Sequence, residues 1–595
     1  MRVADYVLQT LSEAGVRHVF LLTGGMAMHL NDALGLRKEI TFICNLHEQA
    51  CAVAAEAYAK YDKRLGALMV TVGPGATNAI TGVAGGWLDS SPMIVISGQV
   101  KRADLKGGSG VRNRGVQEID IVPIVSSITK YAATISDPST ARFHMEKAIH
   151  LALAGRPGPV WIDIPLDVQA TQIDPDTLSG YTPEITSTKP EIAPLVAQAI
   201  EMLNASERPF VLFGNGARLA GAESEVNELV ERLGVPFGLT WPAMDLMPDD
   251  HPLLVGRPGP MAPRGANFAL QNSDFLLTIG ARLDLVLTAF APERLARAAR
   301  KVMVEIDQKE VDKLKGLIDL PLCLDAGDFM REMLRQQTSL RPKPQADWMR
   351  RCAEWKVKYP LVLPPHRESC ERVSMFNFTD ILSEELNAND VIVPTSSGNA
   401  IETLLLAFKV KRGQRIFITT ALGPMGFGLP ASIGACVASN RRTICVDGDG
   451  GIQMNIQELE TVKRLQLPIK IFVINNNGYG SIVASQKIYF GRLVGADPTS
   501  GLTLPDITKV AAAYGLKTAR ITHQRNLRQE IRDVLATDGP CLCEVLAIED
   551  EPRQPRVSSM QKPDGTMVSK PLEDMFPFLS REEFLENMIV PPVAE

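Results

Sequence analysis

Two hard oxygen donors, Asp449 and Asn476, lie 27 positions apart with the pattern of a βαβ unit between them. Residues 443–446 are an apolar run that reads as a buried strand, and Gly448-Asp449-Gly450-Gly451 follows it. Small residues there let a backbone close on a ligand. A helical pattern then puts Ile456, Leu459 and Val462 on one face. A second apolar run, 469–474, ends in Asn475-Asn476-Asn477. Both donors are thereby expected at the C-terminal ends of neighbouring parallel strands, where open α/β sheets bind ligands. A carboxylate and an amide oxygen beside a glycine-rich turn suit Mg²⁺ shared with a diphosphate. A lone Gly-Asp-Gly is ordinary turn chemistry; the turn, helix, strand and asparagine pair together are far more specific.

A third candidate is Glu48, just past the apolar run at 40–44 and at the start of a small-residue helix. In isolation it would be a first-turn carboxylate favoured by the helix dipole. Its setting argues for more. CNLHEQACAVAAEAYAK, TVGPGATNAITGVAGGWLDSSPMIVISGQ, TTALGPMGFGLPASIGA and the 446–481 stretch together resemble thiamin diphosphate enzymes of the acetolactate synthase-like family, large catalytic subunit type. The resemblance implies a metal held by Asp449, Asn476 and the Gly478 carbonyl. It implies cofactor contacts from Pro74, Asn78, Gly398, Asn399, Ala400, Gly423, Met425, Gly450, Gly451 and Tyr479. Met425 would wedge the cofactor into a bent shape, and the Gly423 carbonyl would accept from its amino group. Glu48 would hydrogen-bond the aminopyrimidine ring and promote the tautomer that deprotonates the thiazolium carbon. That role requires a carboxyl shielded from water. Gln117 and Lys130 also match the family and are read as positioning the donor or acceptor.

Stepping from these residues to the elements that carry them, 1–170 alternates helix and strand signals, as a pyrimidine-binding α/β domain would. Residues 171–190 are polar and rich in Pro, Ser and Thr, a linker. A second α/β unit covers 190–345, a second linker 346–372, a third α/β unit with the diphosphate motif 373–550, and a tail 551–595. The expected fold is therefore three doubly wound parallel sheets of α/β class. In the acetolactate synthase branch the central domain carries FAD, and Gly214, Gly216, Thr240, Arg282 and Asp307 are the matching contacts; other branches hold ADP there, or nothing. The tail reads as a flap over the active-site mouth or as a crossover to another subunit.

The chain has 595 residues, too many for one core. A net charge of -6 leaves no basic footprint for nucleic acid, and no apolar run approaches a membrane span. The N-terminus lacks a cleavable signal pattern. Nine scattered cysteines suit reduced thiols and a cytoplasmic location. The resemblance implies a homodimer or homotetramer.

The chain also departs from its relatives. An arginine that engages the acceptor carboxylate in acetolactate synthases is Val286 here. A selecting tryptophan is Ser485, a phenylalanine before the active-site glutamine is Val116, and a histidine near the diphosphate is Ala400. A bidentate guanidinium–carboxylate contact is worth about 1.5–3 kcal/mol, and valine cannot replace it. The expected activity is decarboxylation of a 2-keto acid, with pyruvate as donor, and ligation of the two-carbon unit to an aldehyde or ketone. The alternatives are acetolactate synthase, a simple decarboxylase, and a cofactor-binding regulatory subunit without catalysis. Retention of Glu48, Asp449 and Asn476 together argues against the last.

Overall fold

A computed structural model describes residues 1–184, 191–368, 371–395, 398–561 and 565–593. Its apolar runs become three six-stranded parallel sheets. The first runs, edge to edge, Thr41–Cys44, His18–Leu21, Gly66–Val70, Met93–Gln99, Pro159–Pro165, Tyr131–Thr134. The third repeats that connectivity: Arg415–Ile416, Val391–Pro394, Thr443–Gly448, Ile469–Asn475, Cys541–Leu546, Lys517–Ile521. The central sheet differs. Its order is Leu320–Cys323, Arg300–Glu305, Phe275–Ile279, Pro209–Phe213, Phe237–Leu239, Leu254–Gly256. Counted within that sheet, this is the 3-2-1-4-5-6 order of dinucleotide-binding folds, whose switch point lies between the first and fourth strands. Strands such as Met93–Gln99 and Pro159–Pro165 are buried throughout, as helices on both faces require.

One apolar core crosses from the first domain into the third. It joins Ala52, Ala55, Tyr58 and Val83 to Leu429, Ile433, Leu459 and Val462. The contact is made by helices Glu48–Asp62 and Gly428–Ser439, both rich in small residues. A Cβ on Gly434 would overlap the carbonyl oxygen of Ala54. Gly434→Ala should therefore force the helices apart and cost about 3 kcal/mol, read as a lowered thermal unfolding midpoint; an unchanged midpoint would refute the close approach.

One expectation needs correction. Residues 346–372 are not simply a linker: Ala346–Lys358 is a helix that buries Trp348, Cys352 and Trp355 against the central domain. The tail, read as a flap or a crossover, has its later part docked on the central domain. Leu572 and Phe584 enter the same core as Phe268 and Trp355. Glu573 pairs with Arg297 at 2.8 Å and accepts from Gln271, and Trp355 donates to Asn587 at 2.7 Å. Among the described residues no helix is long and apolar enough to cross a membrane.

Candidate active site

The diphosphate-side residues converge at the C-terminal ends of the third sheet. Asp449 follows Thr443–Gly448, and Asn476 follows Ile469–Asn475, in adjacent strands. Asp449 is buried and accepts from the backbone N–H groups of Gly450 (2.8 Å) and Gly478 (3.1 Å). Burial pushes its carboxyl up to about 7 against those donors. One amide atom of Asn476 lies 3.3 Å from Asp449 Oδ1 and 3.0 Å from the Gly478 carbonyl oxygen. With nitrogen there, the amide donates to both; with oxygen there, three oxygens form a ligand set for a hard cation. Among the described residues no three His, Cys, Asp or Glu cluster as a metal site; the oxygen set here mixes one carboxylate with an amide and a backbone carbonyl.

Glycines shape the cradle. A Cβ on Gly450 would overlap the Tyr479 ring, and one on Gly451 would reach 2.5 Å from Asp447 Oδ1. Gly478 has φ +139° and Asn477 +65°, so the backbone turns sharply at the candidate ligand. Asp447 was not singled out from sequence. It is fully buried, its Oδ2 has no hydrogen-bond partner among the described residues, and burial pushes its carboxyl up to about 6.

The other half forms in the first domain. Glu48 opens its helix behind the N-cap His47, whose Nδ1 accepts from Gln49 N at 3.1 Å. Its side chain is 7% exposed, and Oε2 accepts from Asn78 Nδ2 at 3.0 Å. Among the described residues Oε1 has no hydrogen-bond partner. Pro74, at the first position of the next helix, and Asn78 are exposed around it. Gln117, at φ +61°, sets its backbone against Gly73, beside Pro74. The loop before Glu48 is held from the third domain: buried Glu458 accepts from Asn45 Nδ2 and Leu46 N, both at 2.8 Å. Sequence offered no sign of this bridge across more than 400 residues.

The remaining candidates divide. Gly398 caps the helix Asn399–Ala407 with φ +81°, and Gly423 also has positive φ. The side chain of Asn399 lies outside the described residues. Ala400 is buried in an apolar cluster with Ile401 and Leu404, so only its backbone could face a ligand. Met425 is half-buried and, among the described residues, belongs to no apolar cluster. Lys130 is not brought to Glu48: its ammonium donates to the carbonyls of Ala154 and Arg156. Val116 is 73% exposed and Val286 is 43% exposed. Ser485 is half-buried and donates to the Ile482 carbonyl.

A cavity of about 720 Å³ lies where all three domains meet. Gly216, Thr240, Arg282 and Val286 line it, with Lys60 and Arg156 from the first domain and Arg415 from the third. It sits at the switch point of the central sheet, where a Cβ on Gly214 would overlap the Gly280 carbonyl. Asp307 is not in its wall; it caps a helix and pairs with Arg156 at 3.0 Å. Val304, Glu305 and Ile306, just before it, line the wall instead.

Family models decide what these halves belong to. Residues 1–124 match the N-terminal TPP binding domain of thiamine pyrophosphate enzymes, 196–333 the central domain and 397–545 the C-terminal TPP binding domain. The chain is a thiamine pyrophosphate enzyme. A probable acetolactate synthase large subunit of Methanocaldococcus jannaschii is 32% identical, over 92% of this chain and 92% of its own. Acetolactate synthase isozyme 1 large subunit of Escherichia coli is 30% identical over 93% and 95%. Chloroplastic acetolactate synthase 1 of Zea mays is 31% identical over 93% and 87%. As an acetolactate synthase-like member of the family, this enzyme belongs to the thiamin diphosphate-dependent decarboxylation and carboligation class. The residues present fit the cofactor: a buried carboxyl, one oxygen of which has no partner among the described residues, could meet a ring nitrogen, and a glycine cradle with hard oxygens could hold a metal–diphosphate.

Proposed function

We propose that this enzyme uses thiamin diphosphate and Mg²⁺ to decarboxylate a 2-keto acid, with pyruvate as donor, and to ligate the two-carbon unit to an aldehyde or ketone. The observation that carries the reading is the coexistence of a buried, half-satisfied Glu48 with the Asp449–Asn476–Gly478 oxygen set. Asp449, Asn476 and the Gly478 carbonyl would hold Mg²⁺, and Gly450, Gly451 and Tyr479 would shape the diphosphate cradle. When bound, thiamin diphosphate supplies a carbon nucleophile and a sink for the electrons left by CO₂. Glu48 holds or releases a proton at Oε1, and Asn78 fixes the carboxyl through Oε2. Burial keeps water from competing for that proton.

Val286 supports an acceptor chosen by something other than its carboxylate, since no guanidinium stands at that position. The names of the relatives favour a second reading, acetolactate synthase with pyruvate as its own acceptor. FAD suits the three-domain cavity by its place at the switch point and its Gly216, Thr240 and Arg282 walls. A homodimer or homotetramer in a reducing cytoplasm is part of the proposal; the described cysteines are unpaired.

One incubation tests the reading: purified protein, pyruvate, thiamin diphosphate, Mg²⁺ and a panel of aldehydes and ketones. Release of CO₂ with an acceptor-dependent hydroxyketone is expected, and flavin bands in the visible spectrum. Acetolactate as the sole product would select the second reading. No CO₂ from pyruvate with any acceptor would overturn both.

A further inference from the structure

The tail passes the diphosphate end of the site before it docks on the central domain. Asp550 pairs with Lys487 at 2.9 Å, and buried Glu551 accepts from Ser374 Oγ and Met375 N. Next comes Arg553, also buried. Its guanidinium donates to Ser481 Oγ at 2.8 Å and pairs with Glu402 at 3.0 Å. Those partners belong to two different helices, and both helices begin at the candidate site. Ser481 follows Gly480, where a Cβ would overlap Asn476 Nδ2. Glu402 lies in the first turn of Asn399–Ala407, behind the Gly398 cap, and a Cβ on Gly398 would lie 4.0 Å from Ser481 Oγ. The helix Gly480–Phe490 has no buried residue. Polar ties, not apolar packing, must therefore hold it: Ser481 to Glu402 and Arg553, Gln486 to Val494, and Lys487 to Asp550.

We propose that Arg553 is a positioning residue of the cofactor site, cancelling the Glu402 charge and clamping the starts of both helices for the diphosphate. This rests on the thiamin diphosphate reading above. A carboxylate in the first turn of a helix offsets the positive end of its dipole, which would otherwise favour an anion. Left unpaired, Glu402 would also repel a diphosphate held at these helix starts. Paired with Arg553, it becomes a neutral strut, and the helix terminus stays attractive. The tail thereby links docking on the central domain to the grip on the cofactor, through a residue more than 70 positions beyond the nearest site motif.

Thiamin diphosphate binding to the full-length chain, with Mg²⁺ present, is measured by isothermal titration calorimetry for the wild type and four variants. Arg553→Met keeps the length of the side chain and removes its charge; its Kd should rise about tenfold, the scale of a charge-assisted contact that is partly screened. Arg553→Lys should recover most of that loss. Glu402→Gln should bind as tightly as wild type or more so. Arg553→Met with Glu402→Gln should return to within about threefold of wild type, because no uncompensated charge remains. Wild-type affinity in Arg553→Met overturns the proposal. So does a double variant no better than Arg553→Met, which marks a tie of shape alone. If Arg553→Met fails to fold, a tenfold loss in Glu402→Gln or full loss in Arg553→Lys overturns it. A wild-type chain that binds no thiamin diphosphate overturns the cofactor reading itself, so the two failures are distinct.

Discussion

Glu48→Gln should lower turnover by about a thousandfold while leaving thiamin diphosphate affinity within about threefold of wild type. The amide has the same shape, and its oxygen still accepts from Asn78 Nδ2 at the position of Oε2. What it loses is the exchangeable proton at Oε1. Positioned acid–base groups contribute about 10²–10⁴-fold, and this one has no neighbour able to substitute. Single-turnover CO₂ release and cofactor titration separate the two quantities. Normal turnover in the variant would remove Glu48 from the chemistry, and a collapse of cofactor binding would make it a packing residue.

Asp449→Asn should weaken Mg²⁺-dependent cofactor binding by about a hundredfold or more, the scale on which metal sites respond to altered ligand shells. The same change should act oppositely on the metal-free protein. Burial raises the folded-state pKa of Asp449 from the ordinary carboxylate range to about 7. Between about pH 4 and that value the unfolded chain has released the proton and the folded chain retains it. Stability from this group is therefore lost as pH rises through that window. Asparagine has no such titration. Melts in chelator at pH 5 and pH 8 should show a smaller fall for Asp449→Asn than for wild type, and added Mg²⁺ should rescue only the wild type. Identical pH dependence in the two proteins would mean that Asp449 is not the buried acid described.

Much of the site was legible because its chemistry is local. The Gly448–Gly451 turn, the asparagine run and the helix between them are contiguous, and their spacing alone placed two donors on adjacent strands. Glu48 was singled out only through the family resemblance of the motifs around it; the small residues after it pack against Gly428–Ser439. Long-range geometry was not legible. Glu458 reaches the loop before Glu48, and Arg553 reaches two helix starts, through contacts that no local pattern encodes. Lys130 matched by motif, yet its ammonium is spent on the 154–156 turn. The helix Ala346–Lys358 did carry a signal, with Trp348, Cys352 and Trp355 at helical spacing, hidden between proline-rich flanks. The strand Lys517–Ile521 escaped notice because an exposed edge tolerates lysine, threonine and arginine, so its apolar alternation is absent.

The crossing of Glu48–Asp62 with Gly428–Ser439 carries a consequence for how this sequence can change over time. The helix that meets Gly434 at Ala54 is the one that begins with Glu48. A side chain added at 434 presses on the backbone of the helix that carries this carboxyl, and catalysis is sensitive to shifts of an ångström. Drift at positions 54 and 434 is thereby policed twice, once by folding and once by reaction geometry. Because a Cβ at 434 meets the backbone of Ala54, which no substitution at 54 removes, a library randomised at both positions should return glycine at 434 in every active survivor.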